Sequence, residues 1–351
     1  MAVRLQRGNV ENAAKTLTMS NPVLVEVLRG TLVESRHRGA VAVADADGAM
    51  ALAIGDVAAP VCPRSAVKAL QALPLMESGA ADRYGFGDEE LALACASHSG
   101  EAAHVDGVSR MLAKAGLDAS ALRCGAHWPM YQPAAFALAK TGAPSALHNN
   151  CSGKHAGFLC LACAMGVDHA GYWRPEHPVQ QKVRSVLEDL TGAPLGPDRC
   201  AVDGCSVPTW AIPLQNLAHA FAKFGTGHGL SGERGNAAAR LRAACAQYPW
   251  HVAGTGRFCT EIIKLLGARV FVKTGAEGMF CGALPEQGLG IAIKCDDGAG
   301  RAAETVMAAI VARFLPLEPT ERAALARFLR PTLRNWNGIE VGALRVTKAI
   351  A

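Results

Sequence analysis

Apolar positions first come in short runs at residues 23–27, 40–44 and 50–54, each only a few residues long and rich in Val, Ala or Leu. Runs of that length between polar or turn residues predict strands. Asp47-Gly48 lies between the last two runs, and Asp-Gly adopts the left-handed dihedrals of a tight hairpin turn. The period then changes. Apolar residues recur three and four apart, which predicts helices over 65–73, 88–96, 107–114, 133–140, 178–190 and 207–223. Apolar runs separated by Gly-rich turns return at 268–273, 278–283 and 289–294. A helix is expected over 300–314 and a last strand near 339–346.

Early and late strands that enclose a helical middle argue for one antiparallel sheet built from both chain ends and flanked by helices. This is an α+β arrangement, not an alternating parallel sheet. We read residues 1–351 as one such domain, with the helical part inserted over about 65–260.

Composition narrows the class. Hydrophobic residues are 50% of the chain and charged residues 19%, enough for a packed core and too apolar for disorder. Aromatics are only 5%, so the core must rest on Ala, Val and Leu. The net charge of +5 is scattered, without a basic run or the aromatics that stack on bases, so no nucleic-acid partner is expected. The N-terminal stretch has no apolar signal core, and the longest nearly apolar run, 156–167, falls short of the roughly 20 residues that span a bilayer. These features predict a cytoplasmic protein without membrane association. The 12 cysteines are then reduced thiols, and most of them small buried hydrophobes. Cys160 and Cys163, although spaced as a C-x-x-C pair, lie inside an apolar helix and read as core.

Candidate chemistry begins at Pro63-Arg64-Ser65-Ala66-Val67-Lys68. Serine and lysine three apart lie on one helical face, within side-chain reach. A serine hydroxyl needs an adjacent base to become a nucleophile, and a lysine serves only if its proton is easily lost. Alone the spacing is weak, since Ser65 could equally cap a helix and Lys68 face solvent. The later Lys273-Thr274-Gly275 changes the balance. S-x-x-K followed by K-T-G is the pairing of the penicillin-recognising enzymes. Their intermediate S-D-N is absent, and Ser97-His98-Ser99 stands in its place. Lys273 would supply the positive charge that lowers the proton affinity of Lys68.

A second polar cluster, His148-Asn149-Asn150-Cys151-Ser152-Gly153-Lys154-His155, precedes an apolar helix, and Asp203-Gly204-Cys205-Ser206 follows about fifty residues later. Zinc could take the thiolates of Cys151 and Cys205, with Lys154 or His155 completing the set. A helix N-terminus that binds an anion through its N–H groups fits the first segment equally well.

Together, the segments around Ser65 and Lys68, Cys95-Ala96-Ser97-His98-Ser99-Gly100-Glu101, Cys151 to Gly157, Asp203-Gly204-Cys205 and Val272 to Gly278 resemble, in order, the rhizobial-type L-asparaginases. So does the opening Asn21-Pro22-Val23-Leu24-Val25-Glu26, and the likeness runs over about residues 21–350. The resemblance implies a fold like the serine β-lactamases and glutaminases, a homodimer, and hydrolysis of L-asparagine to L-aspartate and ammonia. It implies Ser65 as nucleophile with Lys68 as base, and a second serine–lysine pair, Ser97 and Lys273, with Ser99 as the other candidate serine. It implies zinc held by Cys151, Lys154 and Cys205, shaping substrate binding, with His155 and Asp203 beside it. Arg64 is a further candidate for holding substrate, and the backbone N–H groups of Ser65 and Ala276 for an oxyanion hole. The residues leave a glutaminase, an esterase or a zinc-responsive binding protein open.

Overall fold

The computed structural model describes residues 20–350, so the N-terminal stretch read for a signal lies outside it. Strands β1 (Val23–Arg29) and β2 (Leu32–Asp45) form a hairpin that turns at Gly30, whose φ of 57° suits glycine. β2 is long because it serves two halves of one sheet. Its first part pairs with β1, and Gly39 to Asp45 pair with β6 (Leu289–Cys295). Strand β3 (Met50–Ile54) also pairs with the end of β2, across the turn that holds Asp47-Gly48. β4 (Phe271–Thr274), β5 (Met279–Leu284), β7 (Thr332–Arg334) and β8 (Glu340–Val346) complete the order β7-β8-β1-β2-β6-β5-β4. All pairings are antiparallel. The architecture is α+β, and both chain ends supply the sheet.

Two expected helices are corrected. The segment expected as a helix over 207–223 begins as strands Pro208–Trp210 and Ile212–Pro213, and its helix, Leu214–Thr226, starts only after Pro213. A proline inside a helix lacks the N–H donor and clashes with the preceding turn, so two prolines delay the start. The segment expected over 65–73 is a 3-10 turn, Arg64–Val67, then helix α1 (Lys68–Gln71), then a second helix Leu73–Glu77 with Pro74 in its first turn. The remaining helices used below are α2 (Asp88–Ala94), α3 (Ala102–Lys114), α4 (Ser152–Ala164), α5 (Pro178–Thr191), α6 (Leu214–Thr226), α7 (Gly232–Gln247), α8 (Phe258–Leu266) and α9 (Gly300–Phe314). None of the described helices is long and apolar enough to cross a membrane.

α6 and α9 cover opposite faces of β5 and β6. Ala283 faces Gly225 of α6, and its neighbour Gly282 faces Met307 of α9. The contact with α6 is backbone to backbone at Gly290, where a Cβ would fall far inside contact distance of the Ala218 carbonyl oxygen and the Ala222 nitrogen. Neither atom can swing aside. Gly290→Ala is therefore expected to destabilise the fold by at least about 3 kcal/mol, the upper end of ordinary overpacking. A chemical-denaturation midpoint equal to the wild type's would show that α6 can slide. Phe221 and Phe224 of α6 pack on Phe271 at ring separations of 6.0 and 5.3 Å. That cluster seats β4, whose next residue on the same face is Lys273.

Candidate active site

Ser65 is the second residue of the 3-10 turn, so its N–H is among the first-turn donors that have no partner inside the helix. Arg64 before it holds φ at 52°, in the left-handed region that non-glycine residues rarely adopt. Among the described residues the other non-glycine positions with positive φ are Ser206 and Glu277, beside Cys205 and Ala276. All three flank proposed site residues, which is where backbone strain tends to collect. The turn touches the end of β4. A Cβ at Gly275 would lie 2.7 Å from Pro63 O and 3.2 Å from Ala66 N, so only glycine lets the strand reach the serine. Ala276 is exposed directly after it.

Lys68 and Lys273 are completely buried and converge on Ser97. Lys68 Nζ donates to Ala96 O at 2.6 Å, Ser97 Oγ at 3.0 Å and Asn150 O at 3.3 Å. Lys273 Nζ lies 2.8 Å from Ser97 Oγ and donates to Thr274 O at 2.9 Å. Ser99 lies outside this chain, since its Oγ donates to Ala253 O at 2.7 Å. Ser97 is held by its own N–H, which donates to Val252 O at 2.9 Å. No hydrogen bond joins Lys68 Nζ to Ser65 Oγ in this structure; catalytic contacts of that kind often tighten only with substrate.

Electrostatically, Lys273 is the depressed lysine. Burial first, then the charge of Lys68, bring it down to about 7. With Lys273 neutral, the Ser97 hydroxyl can donate to it while accepting from Lys68. The three groups then form an ordered Lys68–Ser97–Lys273 chain able to pass a proton.

The cysteines meet on the far side of Lys68. A Cβ at Gly153 would strike the Leu93 carbonyl, so its absence lets the start of α4 press against the end of α2. The Asn150 carbonyl thereby meets Lys68 Nζ, which also bonds Ala96 O and Ser97 Oγ. Lys154 Nζ lies 3.0 Å from Cys205 Sγ, and Asp203 Oδ2 lies 3.7 Å from the same sulfur. Pairing with Cys205 holds the Cys151 thiol well below its usual range, and the same pairing raises Cys205. Burial opposes ionisation of Asp203, but Lys154 and Arg64 outweigh it and hold the carboxyl low. Arg64 Nε donates to Asp203 Oδ1 at 2.6 Å, so this guanidinium is engaged by a carboxylate. The hydroxyl of Tyr172 accepts from Arg123 N–H at 2.9 Å and lies within hydrogen-bond distance, 2.6 Å, of His155 Nδ1. His155 Nε2 is buried without a hydrogen-bond partner, and burial, Lys154 and Lys68 keep the ring neutral.

Two further residues at the candidate site were given no role by sequence reasoning. Asn150 gives its carbonyl to Lys68. His98 ties the Ser97 segment to α4: its Nδ1 accepts from Gly100 N–H at 3.1 Å, so Nε2 donates to Ser152 Oγ at 2.9 Å. The sole sequence signal for either was its place inside a polar segment.

A serine on an open turn beside a buried lysine–serine–lysine chain, at the edge of an antiparallel sheet, is an arrangement suited to amide hydrolysis, and the chain is an amidohydrolase. Residues 25–346 match the family model described as L-asparaginase II, and the chain belongs to that family. No curated protein matches it. Among solved structures it is similar to a β-lactamase from Mycobacterium bovis, at 15% identity and TM-score 0.40, over 83% of this chain and 94% of that one. It is also similar to Mglu, at 18% identity and TM-score 0.33, over 81% of this chain and 69% of that one.

Proposed function

We propose that the protein hydrolyses L-asparagine to L-aspartate and ammonia through an ester on Ser65. The observation that carries this reading is the convergence of Lys68 and Lys273 on Ser97, beside a serine that the turn leaves partly open. Ser65 Oγ attacks the side-chain amide carbon. Its proton passes to Lys68 as Lys68 gives one to Ser97 and Ser97 gives its own to neutral Lys273. The N–H groups of Ser65 and Ala276 receive the developing oxyanion. The chain then runs in reverse and returns a proton through Ser97 to the leaving nitrogen. Ammonia departs, and water cleaves the β-aspartyl ester with the same chain as base. Family membership supports an amide substrate and leaves glutamine as the closest competitor. Ammonia release from L-asparagine, L-glutamine and a simple ester tests the assignment, with asparagine expected to give the highest kcat/KM. A preference for glutamine or ester would replace it. A homodimer acting in the cytoplasm completes the reading.

Zinc is part of this proposal. Among the described residues no three His, Cys, Asp or Glu side chains gather to hold a metal. The donor set that does gather is two sulfurs and an amine, Cys151, Cys205 and Lys154, whose softness suits zinc and leaves a fourth position open. His155 and Asp203 would support it from behind. Zinc bound there would supply a cationic surface for one end of the substrate. We expect purified protein to carry about one zinc per chain, and Cys151→Ser with Cys205→Ser to lose it, raise KM and keep residual turnover. Full zinc occupancy of the double variant, by elemental mass spectrometry, would remove the assignment.

A further inference from the structure

We infer that Arg257 is a binding arm for the substrate's α-carboxylate; this rests on the amino-acid amide reading above. Arg257 is partly buried, and among the described residues it forms no ion pair with a carboxylate. Its one polar side-chain contact is Nη1 to the Met130 thioether at 3.7 Å. A thioether is a weak acceptor, so the guanidinium is held in place and poorly satisfied. The same sulfur takes Asn150 Nδ2 at 3.7 Å, and the Asn150 carbonyl touches Lys68. The Met130 sulfur thus lies between Arg257 and the side chain of Asn150, the residue whose carbonyl meets Lys68. Met130 is 51% exposed and unbranched, so an entering ligand can displace it.

The loop that carries Arg257 is fixed to the active serine segment. Val252 O and Ala253 O hold Ser97 N and Ser99 Oγ. Glu101 receives Thr255 N at 2.8 Å and Thr255 Oγ1 at 2.7 Å. Gly254, with φ 106°, lies so close to Ser99 that a Cβ would fall 2.6 Å from its Oγ. Thr260 Oγ1 donates to Gly254 O at 2.7 Å from the first turn of α8. Cys259 Sγ accepts Thr274 N–H at 3.3 Å, which ties the same turn to β4 just before Gly275. The position of the Arg257 side chain is therefore set relative to both Ser97 and Gly275. Its charge also helps lower the proton affinity of Lys273, after burial and Lys68. Arg64 is the other guanidinium at the site, and Asp203 already occupies it at 2.6 Å. A planar guanidinium with no carboxylate in hydrogen-bond reach, although its charge acts on the buried Glu304, can take a carboxylate through two parallel hydrogen bonds.

The test uses the full chain with zinc supplied. L-Asparagine is titrated by calorimetry into Ser65→Ala and into the Ser65→Ala, Arg257→Met double variant. In parallel, turnover of L-asparagine and of 3-aminopropanamide, which lacks the carboxylate, is measured with Ser65 intact. Arg257→Met is expected to weaken asparagine binding at least about tenfold, the loss of one charge-assisted pair. Measured at about pH 9, where Lys273 stays neutral without the Arg257 charge, KM for asparagine rises accordingly with kcat little changed, Arg257→Lys recovers part of the loss, and 3-aminopropanamide discriminates little between the proteins. Equal asparagine affinity in the two titrated proteins, or an equal loss on both amides, would overturn the role of Arg257 while leaving the hydrolase reading standing. Absence of both binding and turnover in protein with Arg257 intact would overturn both.

Discussion

Ser65→Ala should lower kcat/KM for L-asparagine by roughly 10⁴-fold or more while moving the melting temperature little. Removing an essential serine nucleophile typically costs several orders of magnitude, because every later step runs through the bond it forms. Stability should survive because the hydroxyl carries little of the fold. It makes no side-chain hydrogen bond among the described residues, and the turn is held by backbone contacts, Ala66 N to Pro63 O and Lys68 N to Ser65 O. Ser97→Ala is the necessary companion. Ser97 is only 3% exposed and receives both lysines, so its loss strands two buried amines. That variant should lose activity and also change stability. Activity of Ser65→Ala within about tenfold of the wild type would exclude Ser65 as the nucleophile and shift attention to Ser97.

This division of labour between the two serines was only half legible in the sequence. Ser65 and Lys68 are three residues apart, so local geometry alone places them on one side of one turn. Lys273 was found through its K-T-G segment. Ser97 and Ser99 could not be separated, because what distinguishes them is the loop opposite: Val252 O takes the Ser97 N–H and Ala253 O takes the Ser99 hydroxyl, both more than 150 residues away. The strand cores at 23–27, 40–44 and 339–346 were legible because their apolar runs are short and bounded, whereas the polar first half of Leu32–Asp45 and the short strand Thr332–Arg334 carry no such run. The helix expected over 207–223 was overextended because its apolar periodicity outlasts the positions where Pro208 and Pro213 forbid helix. Arg257 had no pattern to announce it. Its significance lies in the lack of a carboxylate partner, a property of three-dimensional neighbours.

The complete burial of Lys273 also needed the structure, and it leads to the second large effect. Lys273→Met is expected to cut kcat/KM by about 10³-fold or more, in the range of losing a general acid–base group, and at the same time to stabilise the fold at neutral and acid pH. Both follow from one burial. In the proposed mechanism, neutral Lys273 is the end of the proton chain. Activity should therefore rise with pH through about 7, where Lys273 loses its proton, and level off above it. Methionine fills similar volume but takes no proton, so that limb disappears. Turnover that remains must use Lys68 without Lys273.

The stability effect has the opposite sign. An unfolded lysine titrates near 10.4, whereas folded Lys273 titrates at about 7. Between those values the unfolded chain binds the extra proton, so wild-type stability rises with pH across that window. Below it the folded protein carries a buried ammonium next to Lys68, and the full penalty, of order a few kcal/mol at about 1.4 kcal/mol per pKa unit, is present. Lys273→Met removes that penalty. Its melting temperature should exceed the wild type's at pH 6, and the gap should narrow as pH rises toward 10. A variant that is inactive and no more stable than wild type at pH 6 would mean that Lys273 is not held neutral by its surroundings. The proton chain would then need a different terminus. A variant that keeps the wild-type limb near pH 7 would show that another group controls the rate there.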